Sequence, residues 1–287
     1  MTPTEQRQRL RAILAGTKCL TPASVYDALS ARIAQSVGYE LGMLAGSVSA
    51  NTVLASPDLI VITLTEFADQ VRRIMRYSTL SLMTDADHGY GNALNVMRTV
   101  EELEHAGVSG LSIEDTVLPT PFGAEKETLV PLAEGVGKMK AALEARGDSD
   151  LVIFGRTSAP AITGIDDAVA RCIAYESAGV DALMLPGLRT REDLDRISAA
   201  VKLPIMSGSP AESMCDETYL ASRNVRVWSN GHQTLNVAMN ALFEAMKAVR
   251  GGTLASKLPG AASKTLMNTI TAAADYDGWT MAYLGRG

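Results

Sequence analysis

Short apolar runs alternate with longer amphipathic stretches along this chain, and polar, glycine-containing turns separate them. The apolar runs are KCLTPA (18–23), LGMLAG (41–46), LSLMTD (80–85), GLSIED (110–115), LVIFGRT (151–157), ALMLPG (182–187), LPIMSG (203–208) and VRVWSNG (225–231). Between them lie YDALSARIAQSVG, TEFADQVRRIMRYS, NVMRTVEELEHAG, LAEGVGKMKAALEARG, DDAVARCIAYESAG and REDLDRISAAV, with apolar residues at i, i+3 and i+4, the signature of helices with one buried face. Gly38, Gly107, Gly147 and Gly179 stand where such helices end. Near-continuously apolar strands alternating with helices predict a parallel sheet covered by helices, and eight such units predict an α/β fold of the (β/α)8 TIM-barrel type. An open doubly wound sheet is the competing architecture. It lacks support, because no GxGxxG follows the first strand and GYGNAL follows an acidic run.

The barrel is expected over residues 1–250, ending in the helix LNVAMNALFEAMKAVRG. Residues 251–287 then form a C-terminal helical arm within the same domain, with Leu266, Ile270 and Ala274 on one face. The pattern suits a helix folded back on its own barrel as well as an arm exchanged between subunits.

Composition narrows the function. The 287 residues are 47% hydrophobic, enough for one large core, and the formal net charge of −6 provides no basic patch for nucleic acid. Three scattered cysteines, Cys19, Cys172 and Cys215, suit reduced thiols rather than a disulfide framework. The polar start MTPTEQRQRLRAIL is unlike a secretory signal, and no run is long enough to span a membrane, so a cytoplasmic location is expected.

In a barrel of this type the chemistry gathers where strands end. The polar residues there are Ser47 and Ser49, Asp85 and Asp87, Glu114 and Asp115, Arg156 and Thr157, and Asn230 and His232. Carboxylates crowded at one mouth repel unless a cation or shared protons relieve them, and hard oxygen donors suit Mg²⁺ or Mn²⁺ better than zinc. Arg156 offers a two-pronged donor for a carboxylate or phosphate, and His232 can donate a hydrogen bond or move a proton. Each residue taken alone has a plainer use. The acids can cap helices, Arg156 can be a structural ion-pair partner, His88 can be a turn residue, and His105 suits the end of a helix. The thirteen methionines read as core filler.

The run TDADHGYGNALNVMRTVEELEHAGVSGLSIEDT, with AGSVSA before it and LAEGVGKMKAALEAR, GRTSA and NGH after it, resembles the isocitrate lyase/phosphoenolpyruvate mutase superfamily, and within it the oxaloacetate decarboxylase branch. The resemblance extends roughly from Ala23 to Arg250 and implies a (β/α)8 barrel, Mg²⁺ and a 2-keto or 2-hydroxy acid ligand. It also implies a helix swapped between subunits in a homotetramer built as a dimer of dimers. Residue by residue, it implies Asp85 as the direct metal ligand, with Asp58, Asp87 and Glu114 acting through water. Ser47, Arg156 and His232 would contact the substrate.

The implied reaction is decarboxylation of oxaloacetate, or of a close 2-keto dicarboxylate, to pyruvate and CO₂ through a metal-stabilised enolate, which needs no strong base. Superfamily members that cleave carbon skeletons carry a cysteine in the loop after the fourth strand. Here that loop, TVLPTPFGAEKETLVPLAEG, has none. Ser158, and Ser207 to Pro210, depart from the decarboxylase pattern and leave alternatives. These are a lyase acting on a 2-methylisocitrate-like acid, a phosphonopyruvate hydrolase or mutase, and a metal- and keto-acid-binding barrel without turnover.

Overall fold

The computed structural model describes residues 1–208 and 211–285. Eight strands, β1 (Ala23–Ser24), β2 (Leu41–Leu44), β3 (Ser81–Asp85), β4 (Gly110–Glu114), β5 (Val152–Arg156), β6 (Ala182–Pro186), β7 (Ile205–Gly208) and β8 (Val225–Ser229), pair in chain order. Every pairing is parallel. A parallel bridge from Leu20 to Val227 joins the first segment to β8 and closes the ring. The expected TIM-type barrel is therefore the observed fold. The first expected strand is the poorest match: of residues 18–23 only Ala23 lies in β1, and Leu20 serves as an isolated bridge.

The side chains of a strand alternate between its two faces, and here that alternation sorts the core into two layers. Leu41, Met43, Met83, Val152, Phe154, Ala182, Met184, Met206 and Val227 fill the barrel interior. Their neighbours Leu44, Leu82, Leu111, Ile153, Leu183, Leu185 and Ile205 point outward and pack against the surrounding helices. Those helices include Ala28–Ser36, Leu64–Met75, Ala93–Ala106, Leu132–Ala145, Ile165–Ala178 and Arg191–Ala200, each inside or overlapping a predicted stretch. Gly107 and Gly179 close two of them in the left-handed conformation at φ of 100°, as expected. Gly147 does not, because the helix before it ends on Arg146 in extended backbone.

The longest helix outside the predicted stretches is the first. Pro3–Ala15 begins with a reciprocal capping box between Thr2 and Glu5 and carries proline in its first turn, the combination that stabilises a helix start. Leu10 and Leu14 enter the barrel interior from its N-terminal end. Arg7, nearly buried, donates to the carbonyls of Val108 at 3.0 Å and Glu104 at 2.8 Å and to Asp148 at 2.7 Å. Leu10→Ala would leave a hole in this floor and cost about 2–5 kcal/mol.

After β8 the helix Gln233–Arg250 leaves most of its apolar residues exposed. The arm continues in Lys264–Thr271 and Ala273–Leu284. Ile270 is buried and its carbonyl accepts from Arg32 at 3.3 Å, so it is not part of an exposed face with Leu266. Among the described residues no helix is long and apolar enough to cross a membrane.

Candidate active site

The interior faces of β3, β4 and β5 end in charged residues at their C-terminal ends. On β3 the inward sequence is Met83 then Asp85, on β4 it is Ser112 then Glu114, and on β5 it is Phe154 then Arg156. Register places Asp85 opposite Ser112 and Glu114 opposite Arg156, so strand pairing alone stacks two acids and a guanidinium in the top layer. One Arg156 nitrogen contacts both oxygens of Asp85, and the other lies 3.4 Å from Glu114 Oε2. Ser112 Oγ and the Asp87 N–H each donate to Asp85 at 3.2 Å, and Thr116 Oγ1 donates to Glu114 at 2.7 Å.

Asp87 sits one turn beyond the strand at φ 48°, in the left-handed region, where a non-glycine residue must be held by its surroundings. Its carbonyl accepts from the Glu114 N–H at 2.9 Å. The next carbonyl, of His88, accepts from buried Lys138 at 2.9 Å, and that of Gly89 accepts from Thr99 at 3.0 Å. Gly46 faces the Asp87 carboxylate so closely that a Cβ there would lie 2.8 Å from Oδ1. Gly89 and Gly91 complete this turn with φ of 77° and 150°. Their missing side chains make room for Val96 and Asn95 of the following helix rather than for the site.

A cavity of about 540 Å³ opens at this mouth, lined by Ser47, Asp58, Asp85, Asp87, Glu114, Arg156 and His232. The geometry thus brings together all seven site residues named from the sequence. Other strand-end residues diverge. Ser49 is buried away from the cavity, and Asn230 faces a separate groove. Asp115 is a clear correction: the pleat turns it outward, fully buried, to accept from Arg171 at 3.0 Å and Tyr175 at 2.6 Å. Thr157 is buried too, and accepts from the Ala159 N–H. His105 lies exposed near its helix end, with Nδ1 2.7 Å from the Glu101 carbonyl, which suits its plainer reading.

The sequence reading missed four contributors. Ser24 holds Nδ1 of His232 at 2.8 Å, and Thr116, Thr120 and Glu127 line the cavity from the loop after β4. Ser158, singled out as a departure, also lines it. Ser209 and Pro210, the rest of the second departure after Ser207, lie outside the described residues.

Burial, then the neighbouring charges of Asp85 and Glu114, raises the Asp87 carboxyl well above its ordinary range. Burial also raises Glu114, against the pull of Arg156, while Asp58 at the rim is raised by partial removal from water and by Asp85. Four acids surround one guanidinium here, and repulsion among them is what a bound cation relieves. Arg156 itself is held charged by Asp85 and Glu114 in spite of burial, and its Nε–H is buried without an acceptor. Burial lowers His232, partly offset by Asp85, and His232 Nε2 has no partner among the described residues. Burial and Lys138 lower His88 to about 4, which keeps it neutral in its turn. Among the described residues no three His, Cys, Asp or Glu side chains form a ready-made metal cage. Cys19 and Cys172 are buried thiols, pushed up to about 12 chiefly by burial, and neither lines the cavity.

The model of the family described as phosphoenolpyruvate phosphomutase matches residues 10–250. The chain belongs to this family. Within the phosphoenolpyruvate phosphomutase family it is 53% identical to a protein named oxaloacetate decarboxylase from Paraburkholderia xenovorans (strain LB400), over 99% of this chain and 96% of that protein. Among solved structures it is similar to oxaloacetate acetylhydrolase in complex with the inhibitor 3,3-difluorooxalacetate, with a TM-score of 0.87, 25% identity and 98% of each chain covered. It is also similar to phosphonopyruvate hydrolase in complex with oxalate and Mg²⁺, with a TM-score of 0.85 and 26% identity over 99% of this chain and 100% of that one.

Proposed function

We propose that this protein decarboxylates oxaloacetate, or a closely related 2-keto dicarboxylate, to pyruvate and CO₂ with Mg²⁺ as its metal. The observation that carries the reading is the charge arrangement of one cavity. Asp58, Asp85, Asp87 and Glu114 face a single guanidinium, Arg156, which keeps a buried N–H without an acceptor. The acids suit a hard divalent cation, and the guanidinium suits an anionic ligand beside it. The 53% identical relative named oxaloacetate decarboxylase supports the choice of reaction. So does the loop after β4, which contains no cysteine.

The donor set is all oxygen and strongly acidic, so it fits Mg²⁺, with Mn²⁺ as a substitute. Asp85 would hold the ion directly, and Asp58, Asp87 and Glu114 would act through its water. A bound Mg²⁺ supplies Lewis-acid stabilisation of the negative charge that develops on the keto oxygen as CO₂ departs. Arg156, at the cavity wall, would grip a substrate carboxylate through its guanidinium, in register with the acids. Ser47 lies at the cavity wall to contact the substrate. His232, fixed through Nδ1 by Ser24, presents Nε2 to the ligand as a donor or proton carrier. The loop after β4 lines the cavity and would limit water around the reacting atoms.

The test is a keto-acid panel in which decarboxylation by free Mg²⁺ is subtracted. Oxaloacetate should be turned over in preference to phosphonopyruvate and 2-methylisocitrate. Oxalate, a planar copy of the pyruvate enolate, should inhibit more strongly than pyruvate. Carbon-skeleton cleavage as the sole surviving activity would show a lyase instead. Oxalate binding without turnover of any acid would show a binding protein.

A further inference from the structure

The loop between β4 and the helix Leu132–Ala145 has an exposed tip and a buried base. Leu118, Pro119, Thr120 and Glu127 of the tip line the cavity, and Phe122 is fully exposed. At the base the two arms pair. Thr116 bridges Leu129 in antiparallel fashion, the Val117 N–H donates to the Thr128 carbonyl at 2.8 Å, and the Val130 N–H donates to the Asp115 carbonyl at 2.8 Å.

Beneath this base, one nitrogen of Arg171 donates to both arms: to Asp115 Oδ2 at 3.0 Å on the entering arm and to the Val130 carbonyl at 3.2 Å on the leaving arm. Tyr175, one helical turn on, donates to the same Asp115 oxygen at 2.6 Å. The tyrosine is fully buried, and its hydroxyl takes the space a side chain at Gly135 would need, since a Cβ there would lie 2.4 Å from it. Arg171 Nε also donates to Asp167 at 2.8 Å, and Asp167 accepts from Thr163 at 2.6 Å. Thr163 belongs to the segment that follows β5 and carries Ser158 to the cavity wall.

We infer that Arg171 and Tyr175 are positioning residues: they clamp both ends of the cavity-lining loop to the helix Ile165–Ala178 and so fix where its tip stands at the site. Neither residue lines the cavity, so each acts through the loop. Asp115 then serves as the anchor point and not as a further acid for the metal. The geometry favours arginine at 171, because a lysine has no planar fork to reach Asp115, Val130 and Asp167 together. The inference rests on the proposed reaction only for what the loop lines, and its test needs no turnover.

The test is limited proteolysis of the full chain, with trypsin at Lys126 and chymotrypsin at Phe122, the cleaved bonds being identified by mass spectrometry. Tyr175→Phe removes one hydrogen bond to a buried carboxylate and keeps the ring. It should speed cleavage within the tip about tenfold, with cleavage elsewhere and Tm nearly unchanged. Arg171→Lys should do so more strongly. Mg²⁺ with oxalate should slow tip cleavage of the natural chain, and the variants should need about tenfold more oxalate for the same protection. Tip cleavage at the unaltered rate in Tyr175→Phe overturns the inference. A rise at the tip matched by an equal rise elsewhere and a lowered Tm also overturns it, since that reports general loosening. If Arg171→Lys fails to fold, Tyr175→Phe decides alone. If no keto acid is turned over, the proteolysis still stands or falls by itself.

Discussion

Nδ1 of His232 is 2.8 Å from Oγ of Ser24, across an interval of 208 residues. β1 and the turn after β8 meet where the barrel closes, and the contact turns the imidazole so that its other nitrogen is left for the cavity. Ser24→Ala should let the ring turn without emptying the core. One hydrogen bond of about 0.5–1.5 kcal/mol corresponds to a loss of kcat/KM of up to about tenfold, and Ser24→Thr should restore most of it. Steady-state kinetics checks this, and unchanged kcat/KM in Ser24→Ala would remove His232 orientation from the mechanism.

Asp85 holds Arg156 and is the proposed metal ligand, whereas Asp87 touches Asp85 only through its backbone N–H. Asp85→Asn should therefore abolish Mn²⁺ binding and activity together, with the fold intact by circular dichroism. Asp87→Asn should weaken affinity by about 10–100-fold, the usual loss when a supporting acid is removed. Isothermal titration with Mn²⁺ separates the two, and equal losses would contradict the division of roles.

Arg156 spans Asp85 and Glu114 while one N–H remains without an acceptor. Lysine supplies charge without the fork, so Arg156→Lys should raise KM for the keto acid and lower kcat. Kinetics matching the natural chain would reassign Arg156 to a purely structural ion pair.

The outward Asp115 and inward Glu114 show what was legible in the sequence and what was not. Apolar runs revealed the strands because parallel strands are buried on both faces, and the acids at their ends followed from that placement. Adjacent acids were separated only by pleat parity, which needs the true strand register. The Pro3–Ala15 helix escaped notice because it is mostly polar and buries few apolar residues, mainly Leu10 and Leu14, although the Thr2 to Glu5 capping box was readable. Contacts between distant segments, such as Ser24 with His232 and Arg171 with Val130, have no local sequence signal.

The exposed apolar face of Gln233–Arg250 leads to a prediction of assembly. Met239, Leu242, Phe243 and Met246 are each more than half exposed, and Tyr276 and Trp279 of the arm stack edge to face, also in solvent. A face of this kind on an otherwise well-packed barrel calls for a self-complementary partner. Light scattering at micromolar concentration should give a homotetramer, and Phe243→Glu should shift the mass downward. A monomeric mass for the natural chain would refute this.

The raised carboxyls of Asp58, Asp87 and Glu114 set the sign of the pH response. Each has a folded-state pKa above its unfolded one. Its contribution to the stability of the metal-free protein is thus fully present below the ordinary carboxylate range, and it is lost as pH rises through the raised value. A metal needs the ionised acids, so its binding releases protons and opposes that loss. The increase in Tm caused by saturating Mg²⁺ should therefore grow as pH is raised from about 5 to about 8, and Asp87→Asn should flatten the trend. Thermal unfolding with and without Mg²⁺ across that range is the measurement. A Tm increase that shrinks as pH rises would mean that these acids do not serve the metal.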